Sequence, residues 1–306
     1  MRRAFEVLFL LAMCLSSTQA DYWTDRAALL NEKEREVNEL LKTYKYQEYD
    51  TGFAHPESFL AAQYFFQAEE GIEQSKVFKL IKKLPKGASL HSDDLALVSQ
   101  EFLFNLTYRD NLYACLSEEK LKLHFFDNKN NGVDCMPLSS FVPQLEEMKL
   151  KYGATFFFHA GETNWYGEST DFNLFDAILL NTTRIGHGYA LLKHPLAMKM
   201  IKEKNIAVEI CPISNQVLKL VDDIRNHPGA ILIANNFPVV VASDDPSVWG
   251  AKGLSYDWYY AFMGMTSRES DLRFLQQLAK NSIEFSTFDE EVYVSDMEQN
   301  VAVFVH

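Results

Sequence analysis

From residue 155 onward, apolar β-prone runs recur at a nearly fixed interval, and each ends in a polar or glycine-rich tip. The runs cover residues 155–161, 183–188, 207–214 and 239–246. Measured between His159, His187, Cys211 and Asp244, the steps are 28, 24 and 33 residues. Amphipathic stretches at 172–180 and 194–203 fill the gaps. Strand, crossover helix and strand at this period make the βα unit of a parallel sheet or barrel. In a (β/α)8 barrel, reactive side chains sit at the C-terminal tips of the strands. Here the polar residues fall on those tips each time.

The same count exposes a deficit. Residues 90–94 read as a further strand tip, 68 residues ahead of His159. A barrel uses roughly 30 residues per βα unit, and much of this interval is taken up by a cysteine-bounded loop. Either the α/β architecture is not eight-stranded, or strands are absent from its middle.

Composition and the two ends narrow the setting. The 306-residue chain carries a net charge of −13, which repels nucleic acid and anionic lipid. Residues 1–20 join Arg2 and Arg3 to a short apolar run and then small residues, the pattern of a secretory signal peptide. No later run has the length of a transmembrane helix. In an oxidising compartment Cys115 and Cys135 could close a loop around Asn131-Gly132, whereas Cys211 reads as a buried free thiol. Two sequons open at Asn105 and Asn181, usable only by a secreted chain. Residues 21–85 read as helical. One pattern carries Leu30, Val37, Leu41 and Tyr44. A second opens at Pro56 with Phe59, Leu60, Gln63 and Phe66, and a third holds Val77, Leu80, Ile81 and Leu84. This region is either a helical subdomain packed on its neighbour or a dimerisation arm.

Five polar tips carry the chemistry: Leu90-His91-Ser92-Asp93-Asp94, Phe158-His159-Ala160-Gly161-Glu162, Ile185-Gly186-His187-Gly188, Pro212-Ile213-Ser214-Asn215 and Ser243-Asp244-Asp245-Pro246. A lone histidine at a strand end is usually structural; five converging tips are not. Imidazoles with a carboxylate are the ligands of a zinc ion that keeps a position open for water, whose pKa the metal lowers. Glu162, three residues beyond His159, can pass a proton to a substrate. His187 can position or deprotonate the attacking water. Asp244 and Asp245 can divide the work between metal and substrate.

The segments His159-Ala160-Gly161-Glu162, Arg184-Ile185-Gly186-His187-Gly188 and Ser243-Asp244-Asp245-Pro246, in this order, resemble the adenosine deaminase superfamily. The run from Leu84-Pro85-Lys86-Gly87 to His91, residues 211–219 and Gly253-Leu254-Ser255-Tyr256-Asp257 resemble its secreted growth-factor branch more narrowly. The signal peptide, helical arm and cysteine loop match that branch as well. The resemblance implies a (β/α)8 TIM-barrel deaminase at 86–306, with a disulfide-loop insertion at about 105–137 joining Cys115 to Cys135 and a dimerisation region at 21–85. It implies a secreted enzyme that hydrolyses adenosine or 2′-deoxyadenosine to inosine or deoxyinosine and ammonia, and growth-factor activity through depletion of extracellular adenosine. One zinc ion per chain would be held by His91, His159 and Asp244. Glu162 would protonate the purine, His187 would face the attacking water, Asp245 would hold the purine and Asp94 the ribose.

Two departures from the family pattern stand out. The family reads His-x-His at the first strand, and this chain has His91-Ser92-Asp93, which makes Asp93 a candidate fourth ligand through oxygen. Residues 136–151 alone bridge an interval where the family carries barrel strands two to four. These departures support an alternative: a non-catalytic secreted pseudoenzyme or ligand. A metal amidohydrolase acting on another purine is a third reading, which leaves the cysteine loop and helical arm unexplained.

Overall fold

A computed structural model describes residues 30–93, 101–102, 105, 112–117, 120–125, 142–152, 155–251 and 253–287. The proposed signal peptide, Asp94 and Cys135 lie outside them.

Helix α1 (Glu32–Ala54) starts at Asn31, whose side-chain oxygen accepts from the Glu34 amide while the Glu34 carboxylate accepts from the Asn31 amide. This reciprocal cap satisfies two donors that a helix start leaves unpaired. Its most buried face is Glu34, Asn38, Leu41 and Lys45, one stripe at helical spacing in which three of four residues are polar. The predicted helix from Pro56 is instead two 3-10 turns, Pro56–Ser58 and Leu60–Ala62, followed by α2 (Phe65–Gln74) and α3 (Lys76–Ile81). The break has a partner. Gln216 donates to the Gln63 carbonyl and accepts from the Phe65 amide, taking backbone groups that a continuous helix would use itself.

A hairpin of β1 (Leu112–Ser117) and β2 (Lys120–Phe125) pairs antiparallel, followed by α4 (Val142–Tyr152). Then comes the rhythm read from the sequence: β3 (Phe157–Ala160), α5 (Ser169–Leu179), β4 (Arg184–His187), α6 (Pro195–Lys204), β5 (Ala207–Ile210), α7 (Pro212–Val217), α8 (Pro228–Ala234) and β6 (Val239–Val241). The four strands β3 to β6 form one parallel sheet in chain order. Every residue of β4, β5 and β6 is buried, as parallel strands covered on both faces must be.

The strand tip at 91–93 settles the topology. Ser92 bridges Asp244 in parallel, with the Asp93 amide donating to the Asp244 carbonyl and the Asp244 amide to the His91 carbonyl. A segment that precedes the sheet in the chain thus lies beside its last strand, the seam by which a βα barrel closes on itself. The opposite edge is open: β3 pairs only with β4 among the described residues, and Phe157 is 37% exposed on it. Among the described residues the fold is α/β with four parallel strands, an incomplete barrel.

Two further helices complete the core. Helix α9 (Leu254–Gly264) is buried almost all round through Tyr256, Trp258, Tyr259, Tyr260 and Phe262. Helix α10 (Leu272–Glu284) packs against β6 and α1. One continuous apolar cluster joins residues of α1–α3 to those of the sheet and α9.

Candidate active site

Each strand tip delivers its polar side chain to one place. The rings of His91, His159 and His187 stand 4.5, 4.9 and 5.2 Å apart, centroid to centroid. Asp244 lies among them, with Oδ1 3.3 Å from His91 Nε2 and Oδ2 3.9 Å from His187 Nε2. Glu162 Oε1 reaches to 3.4 Å from His187 Nε2. To aim these groups inward the backbone bends sharply: His187 and Asp244 take left-handed φ values of 62° and 56°. A side chain in that region costs energy, and such costs gather at functional sites. Gly161, at φ 65°, permits the turn between His159 and Glu162, where any Cβ would meet Leu174 at 2.8 Å.

The groups around this cluster fix its orientation. Glu209, 3% exposed, accepts from His91 Nδ1 at 2.9 Å and from the Arg184 guanidinium through its other oxygen. Arg184 is held in turn by the carbonyls of Phe285 at 2.6 Å and Leu90 at 3.3 Å. With Nδ1 tied to a carboxylate, His91 turns Nε2 into the site, the arrangement by which carboxylates orient metal-binding imidazoles. Ser214 Oγ donates to Asp244 Oδ2 at 2.6 Å.

Electrostatics divides the acids. Burial opposes the charge on His91, yet the flanking carboxylates of Asp244 and Glu209 overcome it and raise its pKa to about 10. Burial, then the neighbouring Asp244 charge, lifts Glu162 to about 7. The same two causes, joined by Asp93, lift Asp245 to about 6. Against its burial, Asp244 is held down to about 2 by the adjacent His91 imidazole and the Ser214 hydroxyl. One carboxyl poised to carry a proton beside one that stays ionised is the division that acid–base chemistry requires.

The donor set suits a metal ion. His91 Nε2 and His187 Nε2 are buried without a hydrogen-bond partner, a cost that a native fold tolerates only where something else satisfies the atom. Donor atoms of His91, Asp93, His159 and Asp244 all lie within 4.8 Å of one another, as do those of His91, His187, Cys211 and Asp244. The first set fits better, because the Cys211 thiol donates to the Glu209 carbonyl and burial raises its pKa. Two imidazoles with carboxylates are a zinc-type donor set.

The structure therefore brings together His91, Asp93, His159, Glu162, His187, Asp244 and Asp245. His159 and Asp93 are exposed and Glu162 and Asp245 half-buried, whereas His91, His187 and Asp244 are buried. Cys115 sits on β1, and its pairing with Cys135 falls outside the described residues. Cys211 is a buried free cysteine, as read from the sequence. Asn105 and Asn181 are both exposed. Sequence reading missed Glu209 and His227 as parts of the site, and it left Arg184, Ser214 and Asn215 inside motifs without a role. Of the two missed, Glu209 left a signal, an acid inside the apolar run Ala207–Ile210.

Comparisons with known proteins give the chain a family. Residues 126–299 match the family described as adenosine deaminase, and residues 26–81 the one described as adenosine/AMP deaminase N-terminal. An adenosine deaminase of Phlebotomus duboscqi is 30% identical across 88% of this chain and 85% of its own length. That alignment runs over 441 positions, more than this chain's 306 residues, so part of the relative has no counterpart here. Adenosine deaminase 2 of Homo sapiens is 41% identical over 81% of this chain, which spans 47% of the human protein. Among solved structures, an adenine deaminase from Arthrobacter aurescens aligns with a TM-score of 0.46 at 24% identity, covering 54% of this chain and 48% of that one. The chain belongs to the adenosine deaminase family, on the branch of the adenosine deaminase 2 proteins.

Proposed function

We propose that the chain is a secreted, zinc-dependent adenosine deaminase, converting adenosine or 2′-deoxyadenosine and water to inosine or deoxyinosine and ammonia. The observation that carries this reading is the convergence of His91, His159, Asp244 and Asp93 within 4.8 Å, beside Glu162 and His187. His91, His159 and Asp244 would hold the ion, with Asp93 as a fourth donor. Zinc held there supplies Lewis acidity, which makes water a nucleophile at neutral pH. Glu162, whose pKa of about 7 lets it carry a proton at neutral pH, gives that proton to a purine ring nitrogen. His187 orients the attacking oxygen, Asp245 binds the purine and Asp94 the ribose.

The finer assignments extend the same reading. Residues 1–20 act as the signal peptide, 21–85 as a helical dimerisation region, and 86–306 as the deaminase domain. Asn105 and Asn181 carry glycans, Cys115 pairs with Cys135, and growth-factor activity follows from depleting extracellular adenosine. No helix among the described residues is long and apolar enough to cross a membrane.

Metal analysis combined with an adenosine absorbance assay on the purified chain tests the reading. One zinc per chain with turnover is the expected result; neither zinc nor turnover would sink it. A second reading, a secreted pseudoenzyme or ligand, draws on the open β3 edge and the exposure of His159 upon it. Bound metal without turnover is the outcome that favours it.

A further inference from the structure

Behind His187 runs a buried polar chain that the reaction does not itself use. The Gly229 amide donates to His227 Nδ1 at 2.9 Å, His227 Nε2 lies 2.8 Å from Asn215 Oδ1, and Asn215 Nδ2 lies 3.2 Å from His187 Nδ1. All three side chains are buried: His187 and His227 are 1% exposed and Asn215 0%. Bond directions along this chain are forced. A backbone amide has only a hydrogen to offer, so His227 Nδ1 presents a lone pair and a neutral ring carries its hydrogen on Nε2. That N–H needs an acceptor, which places the Asn215 carbonyl toward His227 and the Asn215 NH2 toward His187. An amide NH2 donates only, so His187 Nδ1 accepts, and the hydrogen of a neutral His187 sits on Nε2.

We infer that Asn215 and His227 are positioning residues that fix His187 as its Nε2–H tautomer, so that it meets the reacting oxygen as a hydrogen-bond donor and not as a base. This rests on the deaminase reading for its consequence, though not for its geometry. His187 Nε2 is buried without a hydrogen-bond partner, and it points between Glu162 Oε1 and Asp244 Oδ2. With Nδ1 occupied by the Asn215 amide, the ring has no free lone pair to take a proton. Of the two roles left open by the sequence, orienting the oxygen and deprotonating it, this network selects the first. The relay is built in: His227 is the N-cap residue of α8, accepting from Gly229. A Cβ at Gly229 would stand 2.9 Å from His227 Nδ1 and 2.8 Å from Met265 Sδ, so glycine permits the close approach.

The test is nitrogen NMR of the full chain labelled with 15N-histidine, with His187→Gln used to assign the signal. His187 is expected to show a protonated Nε2 and a bare Nδ1. Asn215→Asp replaces the donating NH2 with an acceptor of nearly the same shape, and it should move the His187 hydrogen to Nδ1. The zinc-loaded Asn215→Asp enzyme should lose about 100-fold in kcat with KM unchanged. His227→Gln can still donate to Asn215, so it should keep the tautomer and lose less activity than His227→Phe; this pair also decides the matter if Asn215→Asp does not fold. A His187 hydrogen found on Nδ1 in the parent chain overturns the inference, as does a tautomer unmoved in both Asn215→Asp and His227→Phe. The NMR result stands whether or not the chain turns over adenosine, so failure of the deaminase reading is distinguishable from failure of the relay.

Discussion

Glu162 illustrates what a single side chain must satisfy here. It sits at the mouth of the cluster but outside the donor set for metal, and burial together with Asp244 keeps its proton available near neutrality. Glu162→Gln is expected to lower kcat by about 10²- to 10⁴-fold while zinc content stays at the parent level, by metal analysis and steady-state rates. Asp93 gives the complementary case. It adds negative charge to the site, which weakens the Lewis acidity of an ion held there. Asp93→His should raise turnover in the zinc-loaded chain; a rate no higher than the parent's would place the defect elsewhere. At this scale the sequence was legible where a polar residue stands at or just past a strand tip. His159 and His187 do so on β3 and β4, Asp244 just past β6, and His91 beside the bridge at Ser92. Glu209 and His227 were not legible, because their partners are set by folding: Glu209 meets His91 from 118 positions away.

Among the elements, α1 is unusual in burying a mostly polar stripe. Lys45 reaches across it to donate to Thr266 Oγ1 at 3.0 Å and to the carbonyls of Ser267 and Ser270 at 2.8 and 3.1 Å, with its ammonium 3.8 Å from the Phe262 ring centre. Asn38 donates to Asp271 and accepts from the Leu272 amide, so α1 caps the start of α10. Lys45→Met strands those acceptors and should cost about 1–3 kcal/mol in urea unfolding. Burial lowers the Lys45 pKa to about 7, whereas an unfolded lysine titrates near about 10.4. Between those values the unfolded chain holds more protons, so the parent's stability should rise from pH 7 to pH 9 relative to Lys45→Met. Hydrophobic spacing located α1 through Leu41 but says nothing of Lys45 on the same face. It also promised a helix from Pro56, where Gln216, 151 positions away from Phe65, claims the backbone instead. Periodicity reads burial of apolar groups; it does not see a distant amide competing for a carbonyl.

For the molecule as a whole, the decisive fact is that, among the described residues, the four-stranded parallel sheet meets residues 91–93 past its last strand and has no neighbour beside its first. The βα rhythm and the shortfall between residues 90 and 159 were both readable from spacing, because a parallel crossover has a minimum length. Which residues line the exposed side was not, since that depends on what stands beside β3. Among the described residues β3 has a neighbour on one side only, and such an edge, with Phe157 upon it, is a surface for unwanted association. Grafting in, ahead of β3, the part of the Phlebotomus duboscqi relative that has no counterpart here should suppress concentration-dependent light scattering and raise kcat. No change in either would argue that the open edge costs the chain nothing.

The seam between residues 91–93 and Asp244 is one bridge wide, while β3 and β4 pair over four residues. Amide hydrogens at Asp93 and Asp244 should therefore exchange with solvent deuterium well before those at Ile185 and Val208, because local openings start where few bonds must break. The donors proposed for zinc straddle that same seam, His91 and Asp93 on one side and Asp244 on the other. An ion bound there becomes a latch across a join one bridge wide. Stripping it with a chelator should quicken deuterium uptake at Asp93 and Asp244 and leave β4 and β5 unaffected, which makes the cofactor a clasp on the fold as well as a reagent.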